Sequence, residues 1–269
     1  PIVVLDPPPF VVIPLRQHIG APCEPLVAVG DHVKMGQKIG DSGAFVSAPV
    51  HASVSGKVVA IEERELVNGS KCLAVVIEND GKDEEYTSPT RPIDKMSADS
   101  IRKAVREAGI VGMGGAGFPT HIKLNPPKPV DTVIINGAEC EPYLTCDHRL
   151  MVERPEALVQ GTKAIMKAVG AERGLIGIEA NKPDAIAAVQ EQLRDEEGLA
   201  VVVLQVRYPQ GAEKQLIKAA VNREVPSGTL PAEVGCVVSN VHTAITIYDA
   251  LTLGKASYER VVTISGGAV

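Results

Sequence analysis

The chain has 269 residues, a formal net charge of −6 and an apolar fraction of 45%. This length allows one large or two smaller domains, and the acidic balance argues against nucleic acid as a main partner. Five scattered cysteines indicate a reducing compartment without a disulfide framework, and no apolar run reaches the roughly 18–20 residues of a membrane-spanning helix. The abrupt start and the Gly-Gly-Ala-Val end suggest a trimmed fragment.

The first part of the chain, residues 1–88, has the pattern of an all-β domain. Short Val-rich runs at 11–13, 57–61 and 72–77 are separated by turn residues, and no helix-length periodicity appears. Segments 29–40 and 48–58 together resemble the barrel-sandwich hybrid of biotinyl and lipoyl carrier domains. Those carriers present a lysine at a hairpin tip, and the matching turn at 49–52 reads Pro-Val-His-Ala. We therefore interpret this domain as structural, without a covalently attached group.

The pattern changes after a polar, Pro-containing stretch at 79–96, which we interpret as a linker. Ser97 is expected to cap a helix over 99–108 that Gly109 ends. Strands are then predicted near 131–136, 174–180, 199–207 and 235–239, and helices near 153–169, 182–195, 211–222 and 241–253. This alternation predicts an α/β domain over 97–255, with a mostly parallel, Rossmann-like sheet covered by helices on both faces. Residues 256–269 are expected to begin a further β element, starting from a strand-like run at 260–265.

The most informative stretch is residues 112–123, which read Gly-Met-Gly-Gly-Ala-Gly-Phe-Pro-Thr-His-Ile-Lys. Glycines let backbone N–H groups approach an anion closely, Lys123 can add a positive charge, and Phe118 offers a flat aromatic face. The order differs from a Walker loop, which needs Gly-Lys-Ser/Thr together, and from the usual dinucleotide fingerprint, because this run follows a helix pattern and not a strand. Taken alone, such a run is equally typical of turns that need unusual backbone angles.

Polar loops follow three of the predicted strands, at the edge where parallel sheets bind ligands. They read Asn-Gly-Ala-Glu-Cys-Glu-Pro-Tyr from residue 136, Tyr-Pro-Gln-Gly-Ala-Glu-Lys from residue 208 and Ser-Asn-Val-His-Thr from residue 239. Their carboxylates can accept hydrogen bonds from hydroxyl or ring N–H groups, and a helix start can receive phosphate. Each loop alone is also compatible with a solvated turn or a plain helix start. Together with the glycine-rich run, they favour a nucleotide or flavin site.

These segments resemble the flavin-binding subunit of respiratory NADH dehydrogenases. The β domain and the runs His-Ile-Gly-Ala-Pro at 18–22 and Ile-Asn-Gly-Ala-Glu-Cys-Glu-Pro-Tyr-Leu at 135–144 resemble a narrower family still, the RnfC (RsxC) family of the Rnf electron transport complex. The resemblance implies a redox subunit that binds FMN noncovalently and uses NAD(H). The sequence differs from the respiratory family in Met113, where that family has Arg, and in Ala138, where it has Asp.

The resemblance also implies roles for individual residues. The glycine-rich run would hold the FMN phosphate and ribityl region through Gly112, Gly114 and Lys123. The other flavin-pocket residues would be Asn136, Glu139, Gly211, Glu213, Asn240 and Thr243. Phe118 would stack on the nicotinamide dinucleotide, and Glu141 would bind it.

Further implications concern the larger assembly. Full-length relatives would carry two 4Fe–4S clusters in a C-terminal domain, and no Cys-x2-Cys-x2-Cys-x3-Cys run occurs in this sequence. We therefore expect the flavin part without the cluster domain, as a peripheral partner of other Rnf subunits at the cytoplasmic side of the cell membrane, linked to ferredoxin and ion transport. No metal site is expected, because the spacing of Cys140, Cys146 and His148 is unusual for zinc. The alternative is a non-redox scaffold with a vestigial nucleotide site.

Overall fold

The computed structural model describes residues 1–268, and its first part is a small sandwich of two antiparallel sheets. Its strands are β1 (Phe10–Pro14), β2 (Glu24–Pro25), β3 (His32–Val33), β4 (Lys38–Asp41), β5 (Val50–His51), β6 (Gly56–Glu65) and β7 (Lys71–Asn79). One sheet has the order β1-β7-β6-β3, and the other has the order β2-β4-β5. Leu15, Val33, Ile39, Val58 and Ile77 are buried between them. The predicted barrel-sandwich architecture is confirmed.

The segment that corresponds to the carrier hairpin is a buried strand. Val50 and His51 form β5, pair with β4 and are only 5% and 7% exposed. Our expectation of a turn at 49–52 was wrong, because Val50 and Ala52 belong to the apolar core of the sandwich. A Cβ atom on Gly109 would lie 2.4 Å from the carbonyl oxygen of Pro49, so this segment packs directly on the second domain.

The second part of the chain is built on a four-stranded sheet in which every neighbouring pair is parallel. Its strands are β8 (Thr132–Gly137), β9 (Arg173–Glu179), β10 (Leu199–Leu204) and β11 (Cys236–Asn240), in the order β10-β9-β8-β11. The helices are α1 (Ala98–Glu107), α2 (Thr120–Lys123), α3 (Cys146–Glu153), α4 (Pro155–Val169), α5 (Pro183–Gln192), α6 (Glu213–Val221) and α7 (Val241–Thr252). Short 3-10 turns cover Ile93–Lys95, Pro231–Val234 and Gly266–Ala268.

Helices cover both faces of this sheet, as predicted. Val133 and Ile135 of β8 belong to the larger core, which also contains apolar residues of α1, α3, α4, α5 and α7. Ile134 points to the opposite face and packs in a smaller core with Leu216 and Ile217 of α6. Successive residues of a strand face opposite sides, and this explains why β8 is apolar along its whole length.

The predicted helix over 153–169 is α4 in the structure, and a separate helix, α3, precedes it. Pro155 begins α4, because proline lacks an N–H group and is well tolerated at the first position of a helix. The preceding α3 was not predicted. Its first N–H groups are bound by the side chain of Glu139, which lies several residues before the helix and therefore gives no local capping signal.

The C-terminal segment differs from the expected β element. Residues 256–265 form no strand, and 266–268 form a 3-10 turn. The segment instead runs along the α/β domain, where the backbone N–H of Thr145 donates to the hydroxyl of Thr263 at 3.0 Å. Its polar groups are thus bound by a loop rather than by a neighbouring strand. Residue 269, the end of the predicted element, lies outside the described residues.

Ion pairs join the β domain to α1. The Lys38 ammonium lies 2.5 Å from Glu107, and the Arg106 guanidinium lies 2.9 Å from Asp41. Burial of the Asp41 carboxyl opposes its ionisation, but hydrogen bonds from Arg106 and Lys38 outweigh this and lower its pKa. The backbone N–H of Ile19 also donates to the carbonyl of Gly117 at 3.2 Å, so the β domain directly contacts the glycine-rich loop.

Among residues 1–268, no helix has both the length and the apolar composition that a membrane crossing requires.

Candidate functional site

A cavity of 820 Å³ opens at the carboxyl ends of β8 and β11. The chain moves outward from β8 to β9 and β10, and then returns to add β11 on the other side of β8. Asn136 and Asn240 are paired in register at the ends of these two strands. Ligands of open parallel sheets bind where the strand order reverses in this way. The topology therefore provides a ligand site at the loops that the sequence singled out.

Every site residue predicted from the sequence lines this one cavity. The flavin-pocket set is Gly112, Gly114, Lys123, Asn136, Glu139, Gly211, Glu213, Asn240 and Thr243, and the dinucleotide set is Phe118 and Glu141. The structure thus brings together four loops that are separated by up to about half of the chain. The roles assigned to these residues stay predictions.

The glycine-rich loop, residues 112–118, is fixed at its base and free at its centre. Its ends are joined by a hydrogen bond from Gly112 N–H to the Phe118 carbonyl at 2.9 Å, and Met113 N–H donates to the Thr243 hydroxyl at 3.0 Å. The backbone N–H groups of residues 114–117 form no hydrogen bond with the described part of the chain. These donors at the cavity wall are therefore available to an anion.

Met113 lines the cavity but is largely buried. Its side chain is 7% exposed, and its sulfur lies 3.8 Å from the Thr246 hydroxyl of α7. The residue that differs from the respiratory pattern therefore packs the loop onto α7. Because methionine stands here where the respiratory family has arginine, the cavity wall has no positive charge at this position.

Gly114 is required where the loop meets β11. A Cβ atom at this position would lie 3.0 Å from the Asn240 Cβ and 3.1 Å from its Nδ2. Such contacts are tighter than ordinary van der Waals distances, so any larger residue would displace either the loop or Asn240. The glycine therefore allows close approach of the loop to the strand end.

Lys123 and Glu213 form an ion pair across the cavity. The Lys123 ammonium lies 3.1 Å from the Glu213 carboxylate, and both side chains are more than a third exposed. Glu213 lies in the first turn of α6, where a carboxylate is favoured by the helix dipole. The lysine can therefore exchange this partner for a ligand phosphate at modest cost, since exposed ion pairs contribute little.

Asn136 links the end of β8 to the loop before α6. Its Nδ2 donates to the Gly211 carbonyl at 2.8 Å, and its Oδ1 accepts from Ala138 N–H at 3.2 Å. Gly211 is packed against this side chain, because a Cβ atom there would lie 3.3 Å from Asn136 Oδ1. The side chain of Ala138 is fully buried in the smaller core, so it offers no polar group to the cavity.

Glu139 caps α3 with both carboxylate oxygens. They accept from the backbone N–H groups of Asp147 at 2.7 Å and His148 at 3.1 Å. Glu139 lines the cavity but is only 9% exposed. Its side chain therefore fixes the helix start beside the site, which is a role that sequence reasoning did not assign.

Asn240 is the N-cap of α7. Its Oδ1 accepts from His242 N–H at 2.9 Å and Thr243 N–H at 3.3 Å, and its Nδ2 donates to the Asp147 carboxylate at 2.7 Å. One asparagine thus connects the starts of α3 and α7. This connection places Asp147, a residue absent from our sequence prediction, on the wall of the cavity.

Burial raises the pKa of Asp147 from 3.8 to about 6, and the nearby Glu139 carboxylate contributes further. The raised pKa means that the folded protein binds a proton more readily than the unfolded chain. The free energy of unfolding should therefore fall as pH rises from about 4 to about 6, as this carboxyl ionises in the folded state.

We expect Asp147→Asn to remove this fall, because a neutral amide has no charge to bury and can still accept the Asn240 hydrogen bond. Above pH about 6 the variant should be more stable than the parent by roughly 1–3 kcal/mol. Urea unfolding at several pH values would measure this, with Asp195→Asn, an exposed carboxylate, as control. A parallel pH dependence in Asp147→Asn and the parent would contradict the account.

Phe118 and Glu141 lie nearer to solvent. Phe118 is 38% exposed, so a face of its ring is available, and Glu141 borders both the main cavity and an adjoining cavity of 390 Å³. The adjoining cavity lies among the acidic loop and the loops after β9 and β10, and includes Tyr208 and Arg207. Glu141 therefore forms part of the wall of both cavities.

Several further wall residues lie outside the predicted site set. His242 is buried beside Arg260, and burial followed by the charge of Arg260 lowers the pKa of His242 to about 4. It is therefore neutral near pH 7. Arg260, Val261, Val262 and Thr263 line the cavity from the C-terminal segment. The strand-like pattern of this segment led to a predicted strand, and no local sequence feature indicates that the segment lies at the cavity.

The cavity fits a phosphorylated, ring-bearing ligand. Its volume lies within the roughly 300–1,000 Å³ typical of small-molecule sites. Free backbone donors and Lys123 lie on its wall together with amide and carboxylate groups, so the wall can bind both anionic and hydrogen-bonding parts of a ligand. Among the described residues, no group of three or more His, Cys, Asp and Glu side chains is arranged to hold a metal ion.

The fold and site define a class of protein in which a barrel-sandwich domain precedes an α/β domain with a flavin-type cavity. A family model described as the Nuo51 FMN-binding domain matches residues 105–249. A second, the RnfC barrel sandwich hybrid domain, matches residues 1–82. The chain belongs to the RnfC family.

Two relatives with 52% sequence identity agree with this assignment. The chain is 52% identical, over 97% of its length, to the corresponding subunit of the Na(+)-translocating ferredoxin:NAD(+) oxidoreductase complex of Acetobacterium woodii. It is also 52% identical, over 100% of its length, to that of the proton-translocating ferredoxin:NAD(+) oxidoreductase complex of Clostridium ljungdahlii. The chain spans 60% of the length of each of these two relatives.

A solved structure supports the same fold. The H2-reduced NAD+-reducing [NiFe]-hydrogenase matches with a TM-score of 0.53 and 26% sequence identity. The match covers 61% of this chain and 32% of that chain.

Proposed function

We propose that this chain binds FMN noncovalently in the 820 Å³ cavity and exchanges hydride with NAD(H) there. The observation that carries the proposal is the convergence of the glycine-rich loop and three polar loops at one reversal of strand order. The match to an FMN-binding domain model supports the choice of flavin. FMN, when bound, accepts a hydride and passes electrons on singly, which suits transfer between NADH and one-electron carriers.

The phosphate end of the site is the glycine-rich loop with Lys123. The free N–H groups of residues 114–117 can donate to phosphate oxygens, and Lys123 can add a charge-assisted hydrogen bond. Gly112 and Gly114 allow the close approach of backbone that this mode of binding needs. Glu213 holds Lys123 near the loop until a stronger anion takes its place.

The deeper wall would orient the flavin. Asn136 and Gly211 are joined by a hydrogen bond, and Asn240 and Thr243 fix the start of α7 and the base of the glycine-rich loop. Glu139 fixes α3 on the opposite side. This framework holds the cavity in shape without ligand, which reduces the cost of ordering on binding.

The dinucleotide would enter from the side of Phe118 and Glu141. The exposed ring of Phe118 can stack on an aromatic ring, and the Glu141 carboxylate can accept hydrogen bonds from ribose hydroxyls. The adjoining 390 Å³ cavity offers room for a ligand that extends beyond the first.

In the larger assembly, we propose that the chain acts as part of an Rnf ferredoxin:NAD oxidoreductase. The names of its relatives describe subunits of ion-translocating oxidoreductase complexes. Electrons would pass from the flavin to 4Fe–4S clusters held outside this sequence and on to ferredoxin, coupled to ion transport. The chain would lie peripherally at the cytoplasmic side of the membrane, bound to other subunits of the complex.

Titration of FMN into the purified chain tests the proposal most simply. Saturable quenching of flavin fluorescence at one FMN per chain is expected, with a shifted absorbance spectrum of the bound flavin. A spectrum and fluorescence identical to those of free FMN at all concentrations would contradict the proposal. That outcome would favour the alternative, a non-redox scaffold whose nucleotide site is vestigial.

Lys123→Ala should weaken FMN binding by about 1–3 kcal/mol, because it removes a charged hydrogen bond and leaves Glu213 unpaired near the phosphate. The dissociation constant from fluorescence titration measures this loss. Lys128→Ala provides a matched control, since it breaks the exposed Lys128–Glu233 pair outside the cavity. Equal affinities of the Lys123→Ala variant and the parent would place the phosphate elsewhere.

A further inference from the structure

The C-terminal segment brings an arginine to the glycine-rich loop. Arg260 lines the cavity, and its Nη2 donates to the Met113 carbonyl. The hydrogen bond between Thr145 and Thr263 fixes the same segment on the other side of the opening. One hydrogen bond thus holds the guanidinium at Met113, and a second holds the same segment three residues further on, while Arg260 as a whole is solvent-exposed.

The basic side chains on the cavity wall are Lys123, His242 and Arg260. Lys123 pairs with Glu213, and His242 is neutral near pH 7 because burial and Arg260 lower its pKa. Arg260 has no carboxylate partner within ion-pair distance in residues 1–268. Among the three basic side chains on the cavity wall, Arg260 is therefore the one that is charged and not paired directly with a carboxylate.

A guanidinium carries five N–H donors in a planar fork that suits phosphate oxygens. The hydrogen bond to Met113 uses one donor and directs the group to the loop whose centre has free N–H groups. The combined donors can surround a phosphate from two directions. The surrounding carboxylates of Glu139, Glu141 and Asp147 make such a cation necessary if a ligand with negative charge is to bind.

We propose that Arg260 binds a phosphate group of the nucleotide in this cavity, an inference that rests on the proposed function. The phosphate belongs either to FMN or to the pyrophosphate of the dinucleotide. Both possibilities involve the same contact between guanidinium and phosphate. They differ in which ligand, FMN or NAD+, should lose affinity when the guanidinium is removed.

The test compares ligands that carry phosphate with ligands that lack it. FMN and riboflavin are titrated into the parent chain, Arg260→Ala and Arg260→Lys, followed by fluorescence. NAD+ and nicotinamide riboside are then titrated calorimetrically into each protein saturated with FMN. Arg194→Ala serves as control, because Arg194 is an exposed surface arginine paired with Glu191. Thermal unfolding of each variant checks that the fold is kept.

If Arg260 binds the FMN phosphate, Arg260→Ala should weaken FMN binding about 10- to 100-fold and leave riboflavin binding within about twofold. If Arg260 binds the pyrophosphate, Arg260→Ala should leave the affinity for FMN unchanged and weaken the affinity for NAD+ by a similar factor. The affinity for nicotinamide riboside should then stay the same. In both cases Arg260→Lys should recover part of the loss, because it restores charge without the fork.

Equal weakening of the phosphate-bearing and phosphate-free ligands would overturn the inference, because Arg260 would then act only by fixing the loop through Met113. Unchanged affinity for all four ligands would overturn it as well. A parent chain that binds neither flavin would instead overturn the proposed function, and this inference with it.

Discussion

Replacing Gly114 by valine should abolish FMN binding. Even the first added carbon would lie 3.0 Å from the Asn240 Cβ, and the branched methyl groups of valine cannot rotate away from the strand end. Either the loop or Asn240 must move. Asn240 caps α7 and holds Asp147, so its displacement would disturb both helix starts at the cavity.

We expect the dissociation constant for FMN to rise at least about 100-fold, because loss of the loop geometry removes several charge-assisted hydrogen bonds at once. Fluorescence titration measures it, with thermal unfolding to confirm the fold. Gly43→Val is the matched control, since a Cβ at Gly43 in the β domain has no neighbour within 4 Å. A Gly114→Val variant that binds FMN within a few-fold of the parent would show that the phosphate does not lie at this loop.

Gly161→Ala should destabilise the α/β domain, although alanine is the better helix former. A Cβ on Gly161 of α4 would lie 2.0 Å from the Ala244 carbonyl oxygen of α7. The two helices must separate to admit one methyl group. Overpacking of this kind costs about 1–3 kcal/mol or more, which exceeds the roughly 1 kcal/mol that helix propensity would return.

Urea unfolding should show a lower midpoint for Gly161→Ala. FMN binding should weaken as well, because α7 carries Asn240 and Thr243 at its start. Gly43→Ala, at an open position, should leave both measurements unchanged. An unfolding free energy at or above that of the parent would contradict the close packing of α4 on α7.

The strands of the α/β domain could be predicted because they are apolar and bounded by turn residues. Predicted strand positions agree with β8, β9 and β11 to within a residue, whereas β10 ends at Leu204 rather than at 207. The run after Leu204 keeps a strand-like composition but belongs to the loop that carries Tyr208 and Gly211 to the cavity. Apolar composition alone therefore predicts a strand's existence better than its end.

The site could be predicted as a set of loops but not as a set of contacts. Parallel topology implies that loops after strands meet at one edge, and this placed Asn136 and Asn240 together. The capping of α3 by Glu139 depends on a tertiary contact that has no local sequence signal. The contact of Arg260 with Met113 joins residues far apart in the chain, and the segment of Arg260 was predicted to be a strand. The same holds for β5, where the buried Val50 and His51 pair with β4 instead of forming a turn.

The most direct test of the central claim is anaerobic stopped-flow mixing of NADH with the FMN-loaded chain. If one cavity holds FMN beside the dinucleotide, flavin absorbance should bleach at a rate that saturates with NADH concentration, far faster than for free FMN. Phe118→Ala should raise the half-saturating NADH concentration, because it removes the exposed ring at the cavity. Bleaching no faster than that of free FMN, with FMN shown to be bound, would contradict a shared flavin and dinucleotide site.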